Sequence, residues 1–220
     1  MSLQNRVTPF GEIVATPERG TMFGNRGGRF HDPRTLSLKR RRFVSRRWIC
    51  CELSFKGRRR KVFGDGYTEL FFLDEATALA AGHRPCFECR YGDAVRFRDA
   101  FARGNRYRHL PQANEMDICL HVERRSPRPA LDDWRNLPDG AMIAQGGKAL
   151  LVLAGKLFTW TGPGYLADRK PEPGRFHLLT PPSIVAALSA GYRVRLHPSV
   201  LALTTATEGE RGARRFHQAQ

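Results

Sequence analysis

The stretch Leu73-Asp-Glu-Ala-Thr-Ala-Leu-Ala-Ala-Gly-His-Arg-Pro-Cys-Phe-Glu-Cys-Arg90 decides how this chain is read. It is a short alanine-rich helix, a glycine stop and then a C-x-x-C knuckle. Asp74 has the side chain of an N-cap, Glu75 falls in the first turn, and Gly82 can take the left-handed conformation that ends a helix. Cys86 and Cys89 follow at the spacing at which two thiolates grip one tetrahedral metal ion. Arg84, Arg90 and the N-terminus of the next helix favour the thiolate form, for a metal or for a redox pair alike.

Upstream of the knuckle the chain is strongly basic. Between Arg34 and Lys61 stand 12 Arg or Lys residues against a single acid, Glu52, out of a formal net charge of +16. Of the 37 basic residues 31 are Arg, which binds phosphate in a bidentate way that Lys cannot. Phe43, Trp48 and Phe55 interrupt the run. Basic side chains interleaved with rings are a nucleic-acid footprint. Arg40, Arg41, Arg42, Arg46, Arg47, Arg58, Arg59 and Arg60 are the expected phosphate contacts. No amphipathic anchor accompanies the arm, so a membrane surface is not the expected partner.

From Arg47 to Phe55 the sequence alternates, placing Ile49, Cys51, Leu53 and Phe55 on one face of a strand and Trp48, Cys50, Glu52 and Ser54 on the other. Cys51 is therefore the best third ligand by residue type and position, with Cys50 turned away. His83 gives H-x-x-C-x-x-C and either ligates or packs beside Gly82. The expected metal set is Cys51, His83, Cys86 and Cys89, with Zn2+ as the ion. Cys119 reads as buried filler. His31-Asp32 after a glycine loop, and His121 with Glu123, are weaker acid–base candidates. No Walker A, G-x-S-x-G or dinucleotide fingerprint is present.

The rest of the chain sets the fold class, α+β. Residues 1–125 are expected to form a metal-binding, basic region with strands near Glu12–Ala15 and Thr68–Leu73 and helices at 75–81, 91–103 and 114–123. Pro127, Pro129 and Pro138 suggest a linker over 126–138. Residues 139–205 read as a β-meander and then a β-α-β unit, with the helix at 182–190 and a last strand at 192–196; residues 206–220 read as a frayed tail. No run approaches a membrane span and the N-terminus lacks an apolar signal core, so the expected location is the cytoplasm, where five free thiols are at home.

Residues 70–90 resemble part of the zinc-binding domain at the amino terminus of the Ada DNA-alkylation repair protein, and related zinc modules attached to some bacterial nucleases. Those carry E-A-x-A-A-G, an aromatic residue, then R-P-C-x-x-C. Here Glu75–Gly82, His83 and Arg84-Pro-Cys86-Phe-Glu-Cys89 follow that form. The resemblance implies that Cys86 and Cys89 are zinc ligands in a DNA-facing setting. In place of the family's upstream C-x-x-x-C this chain has Cys50-Cys51. The expected function is a zinc protein that binds nucleic acid, DNA first, through the Arg-rich arm. The alternatives are a DNA-processing enzyme, with Cys51 accepting an alkyl group or with His31 or His121 cleaving phosphodiesters, and a non-catalytic scaffold that binds RNA or an acidic protein.

Overall fold

A computed structural model describes residues 2–59, 61–167 and 174–204. Among these the chain runs β1 (Gln4–Val7), β2 (Ile13–Ala15), β3 (Met22–Arg26), β4 (His31–Asp32), β5 (Ser37–Leu38), β6 (Trp48–Cys51), β7 (Leu70–Phe72), α1 (Glu75–Ala80), β8 (Arg84–Pro85), α2 (Tyr91–Gly104), α3 (Ala113–Glu123), β9 (Ala130–Leu131), β10 (Met142–Gln145), β11 (Lys148–Leu153), β12 (Lys156–Trp160), β13 (Tyr165–Ala167), β14 (Phe176–Leu178) and α4 (Pro182–Ser189). The fold is α+β, with one six-stranded sheet in the order β2-β1-β7-β3-β6-β8 and another in the order β13-β12-β11-β10-β14-β9. No described helix is long and apolar enough to cross a membrane.

Helix α1 sits between the sheets with every residue buried. Its small side chains let three cores meet on it. Ala78 and the capping Ala81 pack with Leu70 and Phe72 of the first sheet and with Phe30. Ala76 and Ala80 pack with Met142, Leu151 and Phe158 of the second. Leu79 joins Phe97 and Phe101 of α2, Met116 and Leu120 of α3 and Ile184 of α4. Asp74 caps the helix, accepting from Thr77 N at 2.9 Å and Thr77 Oγ1 at 2.8 Å. Helices α2 and α4 approach so closely that a Cβ on Gly104 would lie 2.1 Å from the Ala186 carbonyl oxygen.

Three expectations change. The strand expected to reach Phe55 stops at Cys51, because the next amide, Glu52 N, turns to Cys89 Sγ at 3.4 Å and leaves the ladder. The strand expected at 192–196, closing a β-α-β unit, does not form. That segment is held by buried acids instead: Glu75 accepts from Arg195 N at 2.9 Å and from Tyr192 Oη at 2.6 Å. Residues 126–138, read as a linker, supply β9, which pairs with β14, and Trp134, which is buried against Ile143 and Leu150. The prolines there shape an edge of the second sheet. The tail 206–220 lies outside the described residues.

Candidate metal centre

Strand register builds the thiol cluster. β6 pairs antiparallel with β3, setting Cys51 opposite Phe23, and parallel with β8, setting Ile49 opposite Arg84 and Cys50 opposite Pro85. The knuckle thus leaves β8 directly beside the end of β6. Alternation does the rest. Cys51 faces Phe23, Cys86 and Cys89, while Cys50 faces the opposite core with Leu70 and Phe72. Cys86 N donates to Cys50 O at 3.0 Å and Arg90 N to Cys86 O at 3.0 Å, which closes the turn before α2.

The result is a cluster of three sulfurs, Cys51, Cys86 and Cys89, all within 4.8 Å of one another, which can hold a metal ion. The donor set fits a thiophilic ion, since three soft ligands converge and no disulfide ties them up. Glu52 N and Glu88 N point at Cys89 Sγ and Cys86 Sγ, each at 3.4 Å, and such amide donors stabilise thiolate. Hydrogen bonds from Cys51 and Cys89 push the Cys86 thiol well below its usual range, while contacts with Cys86 and Cys89 push Cys51 up. Among the described residues no fourth His, Cys, Asp or Glu joins the group.

His83, placed in the ligand set by the sequence, is not brought to the sulfurs. Its backbone N donates to Ala78 O at 2.9 Å, which turns the ring inward. The ring lies 4.7 Å from Phe72 and 5.1 Å from Trp48, fully buried, and Nε2 accepts from Arg26 Nε at 3.5 Å. Burial, reinforced by Arg26 and Arg124, holds its pKa well below the usual imidazole value. Trp48 itself is clamped between two guanidinium groups, Arg26 at 3.9 Å and Arg124 at 4.3 Å from a ring centroid. Arg124 also donates to Gly82 O at 2.7 Å and Arg46 O at 3.0 Å, tying the basic arm to the helix stop. Arg84, next to the knuckle, forms a buried bidentate pair with Asp117 of α3, at 2.9 and 2.8 Å.

The three thiols open on a cleft of about 390 Å³. Phe23, Phe55, Tyr67 and Phe87 are among its walls, and Arg47 and Arg58 stand at its rim. Of the expected phosphate contacts, Arg40, Arg41, Arg46, Arg47, Arg58 and Arg59 are exposed and Arg42 is half-buried; Arg60 lies outside the described residues. Arg58 is paired with Glu88 at 2.5 Å, and Arg41 lies 4.6 Å from the Phe43 ring.

Of the weaker acid–base candidates, His31 and Glu123 take structural roles. His31 is buried, with Nδ1 on Thr68 Oγ1 and Nε2 on Gly64 O, both at 2.8 Å, and its ring stacks on Phe63. Neither nitrogen is free for catalysis. Glu123 turns away from His121 to cap α4, accepting from Ser183 N at 2.9 Å and Ser183 Oγ at 2.6 Å. His121 sits edge-on to Phe43 in the basic arm. Cys119 packs half-buried against the α2–α4 core.

Sequence reasoning missed Asn25 and Arg26 on β3. Asn25 lines the cleft although the residue is only 5% exposed, and Arg26 backs Trp48. The only signal was a Gly-Asn-Arg-Gly-Gly run that reads as a loop. Comparison of the chain with protein-family models, curated proteins and solved structures finds no match in any of the three.

Proposed function

We propose that Cys51, Cys86 and Cys89 hold a zinc ion, with the fourth position left to water or to a ligand entering the cleft. The adjoining Arg-rich arm then binds nucleic acid, DNA in the first instance. The observation that carries this reading is the convergence of the three sulfurs on a cleft whose rim bears arm arginines. Arg46 and Arg47 run straight into β6, which ends on Cys51, so the centre and the arm share one strand. The Ada-type form of Glu75–Cys89 supports the same reading. Phosphate contacts dominate such binding and make it salt-sensitive and weakly sequence-selective.

Two measurements test it. Plasma mass spectrometry on the purified chain should give one zinc per protein, lost in Cys86→Ser; a metal-free, freshly reduced wild type removes the zinc half of the proposal. Titration of duplex DNA over a salt series should give a steep log–log slope. Arg40→Ala/Arg41→Ala/Arg46→Ala should flatten it by about 0.9 for each phosphate no longer neutralised, and an unchanged slope removes the arm.

A further inference from the structure

The cleft in front of the thiols has a composition that the arm alone does not require. A surface that only neutralises phosphate needs cations, yet here four rings stand among the walls. Phe23 forms part of the floor at 5% exposure and Tyr67 stands on one wall at 53%. Phe55 is half-buried beneath two cations, Lys56 Nζ at 5.2 Å and Arg58 Cζ at 5.5 Å from its centroid. Phe87, between the two knuckle cysteines, completes the walls.

The floor also carries a directional polar group. Asn25 accepts from Gly27 N at 2.9 Å through Oδ1, and that is its only side-chain hydrogen bond among the described residues. Its amide nitrogen is left as a donor in a cleft whose lining also includes four rings, three sulfurs and the polar side chains of Ser45, Glu88 and Asn114. The nearby Arg84 is engaged by Asp117 through two bonds and by Pro85 O through a third. Arg47 stands exposed at the rim to meet the backbone of something that enters, and Arg58, paired with Glu88, can exchange that partner for a phosphate. Rings in the walls, the Asn25 amide held by Gly27 and cations at the mouth together recognise a flat heteroaromatic group on a phosphate chain.

We infer that the cleft of Asn25, Phe55, Tyr67 and Phe87 receives one unpaired base of the strand held by the arm, stacking it between rings directly in front of the three thiols. This rests on the reading of the arm as a nucleic-acid surface. A volume of about 390 Å³ suits a base and its sugar but not a base pair still in its stack. Stacking on a protein ring strengthens binding by about 5- to 150-fold per base.

The experiment is fluorescence anisotropy on the full chain with three labelled DNAs of one sequence: a paired duplex, the duplex with a single bulged base, and the single strand. The bulged and single-stranded forms should bind at least about 5-fold tighter than the paired duplex. Tyr67→Ala should abolish that preference while leaving the salt slope on the paired duplex unchanged, and Phe55→Ala should abolish the preference as well. Equal affinity for all three DNAs, with the salt slope intact, overturns the base pocket and leaves the arm standing. Retention of the preference in both variants also overturns it. Absence of binding to any of the three overturns the arm and the pocket together.

Discussion

Replacing Arg84 by Met tests what holds the knuckle in place. Arg84 is 2% exposed and Asp117 5%, and they meet through two parallel hydrogen bonds of 2.9 and 2.8 Å. Arg84 belongs to β8 and Asp117 to α3, so the pair fixes the short strand that launches Cys86. Removing one member of a buried pair leaves an uncompensated charge and costs about 3–5 kcal/mol. Arg124 is close enough for the Asp117 charge to raise its pKa against the larger lowering by burial, and it supplies some replacement for the missing cation. The expected cost of Arg84→Met is therefore near the lower end, about 3 kcal/mol. Arg84→Met/Asp117→Leu removes both charges and should return to within about 1 kcal/mol of wild type, because desolvation of the carboxylate is then relieved too. Urea unfolding of the wild type, both single variants and the double variant gives the coupling directly. A single-variant cost under about 1 kcal/mol, or a double variant as unstable as the sum of the singles, would refute the reasoning.

Two further outcomes follow from groups near the helix stop. His83 is held neutral by burial, so its folded pKa is depressed; the unfolded chain takes up a proton that the native state refuses as pH falls below 6.5. Stability from this group is fully present above that value and declines by up to about 1.4 kcal/mol per pH unit beneath it. His83→Phe should remove that component of the slope in unfolding measurements down to about pH 5, and identical slopes in both proteins would show that His83 is not buried neutral. Gly82 has φ +78°, and a Cβ there would stand 2.6 Å from Arg124 Cγ. Gly82→Ala should cost about 1–2 kcal/mol for the left-handed backbone alone. It should also loosen Arg124 from Arg46 O and speed trypsin cleavage within residues 39–47; unchanged cleavage would separate the arm from the helix stop.

Local chemistry makes the centre of the fold readable. The Asp74 cap, the run of alanines, Gly82 and the C-x-x-C knuckle each specify backbone geometry within a few residues, and the structure places all of them as the sequence reads. Period-two alternation separates Cys51 from Cys50 on sequence alone, because strand side chains must alternate whatever the partners. His83 stays undecided there for a physical reason: an imidazole three residues before a knuckle has the same sequence signature whether it binds metal or packs on rings. The choice is made by Trp48, Phe72 and Arg26, which come from three other strands. The strand expected at 192–196 fails similarly. Tyr192-Arg-Val-Arg-Leu196 alternates well, but a strand needs a neighbour with free backbone groups, and this segment meets the carboxylate of Glu75. Trp134, Asn25 and the joint cores on α1 depend on packing across long stretches of chain, which periodicity does not encode.

The position of β8 at the end of its sheet has a consequence for the fate of the chain in the cell. Among the described residues the outer edge of β6 is paired by Arg84 and Pro85, over Ile49 and Cys50, with Cys86 N adding one bond to Cys50 O. Behind them lies Trp48-Ile-Cys-Cys51, apolar, uncharged and strand-forming, the kind of segment that recruits copies of itself when its backbone is bared. The knuckle, through Arg84–Asp117 and the gathered thiols, acts as a gatekeeper for that edge. Thiol oxidation or loss of Asp117 would then register first as self-association at high protein concentration, ahead of any global unfolding, with β6 as its seed.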